Sequence, residues 1–135
     1  MSFAVWVQWF ERGKPQEVPR TLLDASFGAA IVRRDAESVS LWYDDLNACE
    51  ASIHGEAAAT MHGVAIRRPC SNPALWAGIL ALLQAGNGVC YWAGGRPQVS
   101  RPETVPHLPP YMVERLGNPQ VVASGDEMLA RVEAS

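Results

Sequence analysis

The stretch Gly88–Pro97, GVCYWAGGRP, has the residue types of an active-site edge. Cys90 is a nucleophile, Tyr91 and Trp92 could wall a pocket, Gly94 and Gly95 allow a tight turn, and Arg96 brings a cation. A cysteine attacks as its thiolate, which requires a nearby base, cation or helix N-terminus to lower its pKa. No neighbour in sequence does this for Cys90, and a cysteine on a short apolar strand, just before two aromatics, is expected to be a small buried hydrophobe. The glycine pair and Arg96 then read as the loop leaving that strand.

Other chemistry meets similar limits. The candidate metal ligands are His54, His62, His107, Cys49, Cys70 and Cys90, and no pair has HxH, HExxH or CxxC spacing. His54 and His62 could approach across GEAAA (55–59), with Glu50 on the same face, but ordinary solvated strand residues are the expectation. Asp44, Asp45 and Glu50 lie near Trp42 and Tyr43, a composition that a glycosidase could use. Aspartate equally serves turns, and DDLN (44–47) reads as the turn of a hairpin. GNG (86–88) and AGGRP (93–97) lack a phosphate-loop pattern, and GxSxG is absent from the sequence. We expect no catalytic residue, no metal and no other cofactor.

The elements that would position these residues follow from periodicity. FAVWVQWF (3–10) reads as a strand with apolar groups on both faces, hence a central one. PRTLLDASFG (19–28) reads as a short helix with Pro19 in its first turn and Gly28 just past its end. SVSLWYDD (38–45), NACEASIHG (47–55) and TMHGVAIRRP (60–69) read as a three-strand meander with one core face and one half-polar face. SNPALWAGILALLQAGNG (71–88) is the clearest helix: Asn72 can cap it, Pro73 can open it, and no charge falls between Pro73 and Gln84. VCYWA (89–93) follows as a strand. Residues 97–110 read as a proline-rich surface connection, PPYMVERLGNP (109–119) as a short helix, QVVA (120–123) as an edge strand, and SGDEMLARVEAS (124–135) as a helix with Ser124 and Glu127 in capping-box spacing. The expected fold is a single α+β domain spanning 1–135. Its sheet is largely antiparallel, of about five strands, with helices on one main face.

Composition narrows the class. The chain has 135 residues, 48% hydrophobic and 19% charged, with formal net charge −3, which fits one packed domain. The arginine pairs 33–34 and 67–68 are its longest basic runs, a poor match to a nucleic-acid groove. Its most apolar segment falls short of the roughly 20 residues a bilayer-spanning helix needs, and three cysteines without CxxC spacing fit a reducing compartment. A cytoplasmic protein that engages neither nucleic acid nor membrane is expected.

What remains is surface. Five tryptophans are many for this length. Trp9 and Trp76 suit the core, whereas Trp42 is in phase with Ser38 and Ser40 on the polar face of the meander. Alternation across the hairpin places Glu50, Ser52 and His54 on the same face. An aromatic among charged, hydrogen-bonding groups is a common composition for an interface hot spot. Trp42, Asp44, Asp45, Glu50 and His54 are therefore the candidate partner-binding residues, unless the proline-rich segment lies over Trp42.

In size, acidity and layout the whole chain resembles the small acidic α+β immunity proteins of bacterial toxin systems. FAVWVQWFERGKP (3–15), VCYWAGGRP (89–97) and LPPYMVERLG (108–117) also look like segments of bacterial proteins of similar length. The resemblance implies a cytoplasmic protein that neutralises a cognate toxin by tight binding, without catalysis; it assigns no residue. The alternative is a small enzyme or ligand-binding domain whose site is not coded by a short motif.

Overall fold

The strand that opens the chain is the spine of the fold. The computed structural model describes residues 3–135. In β1 (Ala4–Glu11), Val5, Val7 and Trp9 are fully buried on one side of the sheet, while Trp6, Gln8 and Phe10 alternate onto the other. Apolar groups on both sides demand cover on both sides, and β1 lies between two antiparallel neighbours, β8 (Gly63–Arg67) and β9 (Gly88–Tyr91). It folds back on β2 (Lys14–Pro15) through Arg12 and Gly13, whose φ values of 51° and 82° suit a two-residue hairpin turn.

The remaining strands are β3 (Val18–Pro19), β4 (Ile31–Arg34), β5 (Ser38–Asp44), β6 (Asn47–His54), β7 (Thr60–Met61), β10 (Gln98–Val99) and β11 (Gln120–Val121). Among the described residues the main sheet has nine strands, in the order β11-β10-β9-β1-β8-β6-β5-β4 with β2 beside β1, and β3 pairs separately with β7. Every pairing is antiparallel except β10 with β11. The fold is a single α+β domain. Among the described residues no helix is long and apolar enough to cross a membrane.

Three helices cover the inner face: α1 (Leu22–Phe27), α2 (Pro73–Gln84) and α4 (Gly125–Ala134). Helix α2 starts where Asn72 Oδ1 accepts the Ala74 N–H at 2.9 Å, with Pro73 in its first turn. It buries Leu75, Trp76, Ile79, Leu82 and Leu83 against Val5, Val7, Leu41, Val64 and Ile66. Two glycines set how closely its neighbours approach. A Cβ on Gly78 would lie 2.7 Å from the Phe27 ring of α1, and one on Gly125 would lie 2.6 Å from the Ala77 amide nitrogen. Helix α4 is fixed at its start by Ser124, whose Oγ accepts the Glu127 N–H at 3.1 Å, while Glu127 Oε1 accepts the Ala123 N–H at 3.0 Å.

The outer face is divided. Over β9 and β10 lie a 3-10 helix (Pro102–His107) and α3 (Pro110–Leu116), which close a second apolar cluster of Phe10, Val89, Val99, Leu108 and Met112. Among the described residues the outer face of β5, β6 and β8 carries no such cover. Helices thus occupy both sides of the sheet rather than one main face.

The stretch 97–110 is likewise more than a surface connection: Gln98 and Val99 form β10, and Pro97, Thr104, Leu108 and Pro109 are buried. About five strands were expected and nine join the main sheet among the described residues: β2 and β10, of two residues each, carry no readable alternation, and β4 breaks it at a register shift between Ile31 and Arg33. Pro19 lies in β3, not in a helix, and α1 begins at Leu22. The stretch 60–69 holds two strands. His62 takes the chain from β7, beside β3, to β8, beside β1 and β6.

Candidate functional site

The GVCYWAGGRP stretch is fully used by packing and turning. Cys90 is completely buried, and that burial pushes its thiol up to about 12, away from the thiolate that nucleophilic catalysis requires. Trp92 shares the inner face with Cys90, while Tyr91 points outward, where its hydroxyl donates to Gln8 Oε1 at 2.7 Å. Gly94 takes the turn at φ 87°, Gly95 lies flat against the Trp92 indole, and Arg96 Nε donates to the Asn118 carbonyl at 2.7 Å.

The tryptophans separate by environment. Trp9, Trp76 and Trp92 are buried, and each indole N–H is satisfied, by Leu82 O at 3.1 Å, Cys70 O at 2.8 Å and Ser135 Oγ at 3.0 Å. Trp42 is 47% exposed, and no protein acceptor meets its N–H among the described residues. The proline-rich stretch packs over β9 and β10 instead, and Tyr111 on α3 is itself 58% exposed. Trp42 is open.

Register locates the other candidates. On the outer face Trp42 faces Ala48, Ser40 faces Glu50, and Ser38 faces Ser52; on the next pair Glu50 faces Arg67, Ser52 faces Ala65, and His54 faces Gly63. Trp42, Glu50 and His54 therefore share one surface. Ala48, opposite Trp42, and His54 stand six positions apart on β6, or roughly 20 Å at strand rise. The small residues Gly63 and Ala65 keep β8 low between β1 and β6, and it is covered there by side chains of its neighbours. The rings of Trp6 and His54 meet across it, with centroids 5.7 Å apart at 38°.

Asp44 and Asp45 sit at the hairpin tip, and their tasks differ. Asp44 Oδ1 accepts the Leu46 N–H at 2.9 Å and Asn47 Nδ2 at 2.8 Å. These bonds, the Asn47 side chain first, hold the carboxyl below its ordinary value. Asp44 builds the turn, whereas Asp45 is exposed.

Two hollows mark this surface. One, of about 560 Å³, is lined by Val32, Trp42, Ala48, Glu50, Arg67 and Arg68. The other, of about 910 Å³, includes Glu50, Arg67, His54, His62 and Arg20. They join at Glu50 and Arg67. In the larger one Arg20 is already engaged with carbonyls, donating to Thr60 O at 2.7 Å, Ala36 O at 2.7 Å and Ala57 O at 3.0 Å. Beneath the smaller one, burial pushes the Cys49 thiol up to about 12, with neighbouring Cys70 adding to the shift. Among the described residues no three His, Cys, Asp or Glu side chains converge as metal ligands.

Four members of this surface lie outside the sequence-level candidates. Leu46, 93% exposed at the hairpin tip, was detectable as an apolar residue in the turn DDLN. Arg67 was detectable by alternation with Gly63 and Ala65, whereas Val32 and Arg68 were not, because β4 breaks alternation at a register shift between Ile31 and Arg33, and Arg68 lies past the end of β8. Comparison with family models, curated proteins and solved structures gave no match.

Proposed function

We propose that this chain is a non-enzymatic protein-binding domain of the immunity type, which neutralises a cognate toxin by covering it with the open half of the outer sheet face. The observation that carries this reading is the exposed Trp42. A rigid aromatic ring on a paired strand loses little conformational entropy on binding, which suits a hot spot. Val32 adds apolar area in the same hollow, and Glu50, Arg67 and His54 supply charge and hydrogen bonding along the same face. Cys90, the one cysteine beside the aromatic strand, is buried and protonated, and the carboxylate of Asp44 is held in a turn, which weakens an enzymatic reading.

The test is co-expression. A toxin encoded beside this gene should arrest growth when expressed alone, and the wild-type chain should restore growth. A folded Trp42→Ala variant should restore it poorly. If the neighbouring product is a metabolic enzyme and no toxic partner is bound, the alternative of a small enzyme or ligand-binding domain gains, with the groove around His54 and His62 as its place.

A further inference from the structure

We propose that the Trp42 end of this face docks an acidic segment of the partner, one that presents an apolar or aromatic side chain flanked by Asp or Glu; this rests on the binding-protein reading above. Arg67 ends β8 on the outer face, opposite Glu50. In a continuing strand Arg68 would point to the opposite face. Instead Arg68 adopts φ 47°, a left-handed conformation uncommon for a residue with a side chain, while its N–H donates to the Phe3 carbonyl at 3.0 Å. The bend puts Arg67 and Arg68 on the same hollow as Trp42 and Val32. Glycine or asparagine would take this backbone more easily.

Both arginines are exposed, and among the described residues neither forms an ion pair. The ion pairs among the described residues are Arg34–Asp24 and Arg131–Glu127. Glu50 faces Arg67 across the ladder, yet they form no such pair. Guanidinium groups match a carboxylate with directed hydrogen bonds, and Trp42 and Val32 give the hollow apolar lining. A long polyanion fits less well. Glu50 lies in this hollow, Asp35, Glu37 and Glu56 line the groove beyond it, and the chain is net negative.

The experiment is fluorescence polarisation at low salt with short labelled peptides. One peptide has a central Phe flanked by Asp, a second has the same Phe flanked by Lys, and an oligothymidine of similar length serves as the nucleic-acid probe. The Asp-flanked peptide should bind about tenfold or more tighter than the Lys-flanked one. Arg68→Asn, which keeps the left-handed turn, should lose that preference while melting like wild type. Arg67→Glu with Arg68→Glu should reverse it. Equal binding of the two peptides, an unchanged preference in Arg68→Asn, or oligothymidine binding as tight as the Asp-flanked peptide would each overturn the inference. None of these results alters whether Trp42 is needed for growth rescue, so the two readings fail separately.

Discussion

Trp6 and His54 meet ring to ring across β8, centroids 5.7 Å apart, over the small residues Gly63 and Ala65. The contact ties β1 to β6 above the strand that separates them. A double-mutant cycle with Trp6→Ala and His54→Ala should give a coupling of about 0.5 kcal/mol, the low end for aromatic pairs because His54 is exposed. Strict additivity in denaturant melts would show that the rings do not interact in solution.

Helix α2 holds the inner core. Leu82 is fully buried, and Leu82→Ala should cost about 2–5 kcal/mol of unfolding free energy. A loss below about 1 kcal/mol would mean that this side of α2 does not pack on the sheet.

Gly125→Ala tests the approach of α4 to α2. The new methyl would meet the backbone at Trp76 and Ala77, which cannot swing aside as a side chain can. Destabilisation of about 1–3 kcal/mol is expected, although alanine is the better helix former. A more stable variant would show that α4 does not dock this closely.

Much of this core was readable. Val5, Val7 and Trp9 alternate against Trp6 and Phe10, and this marked β1 as central. Asn72 and Pro73 marked the start of α2, and Ser124 with Glu127 that of α4. QVVA marked the edge strand β11, but the two-residue strands β3 and β10 were not readable, since their pairing depends on partners distant in sequence: Val18 meets Met61, and Gln98 meets Gln120. Nor was the burial of 97–110, because prolines suggest an exposed connection and only tertiary packing places Leu108 with Val89 and Val99. At the candidate site, alternation put Trp42, Glu50 and His54 on one face. The left-handed turn that adds Arg68 has no signature in RRP.

Cys90 should be chemically silent in the folded state. Its thiol is pushed up to about 12 by burial, so iodoacetamide at neutral pH should modify it only after unfolding in guanidinium. Mass mapping of the alkylated peptides checks this. Rapid native modification of Cys90 would contradict its placement.

Asp44 makes stability depend on acid. Its carboxyl lies below the ordinary value when folded, chiefly through Asn47. The stabilisation is fully present above the unfolded pKa of about 4 and is lost as pH falls through the lower folded pKa. Asp44→Ala should therefore melt below wild type at pH 7, and the gap should narrow as pH falls below about 4. A gap that stays constant into strong acid would show that the ionised carboxylate does not hold the turn.

The proposed binding face is tested most directly by calorimetric titration of the proposed toxin partner with wild type, Trp42→Ala and Cys90→Ser. Trp42→Ala should fold normally and weaken binding by about 2 kcal/mol, roughly 30-fold, while Cys90→Ser should bind nearly as wild type. Unchanged affinity in a folded Trp42→Ala variant would contradict the assignment of this face and redirect attention to the surface around Tyr111 on α3.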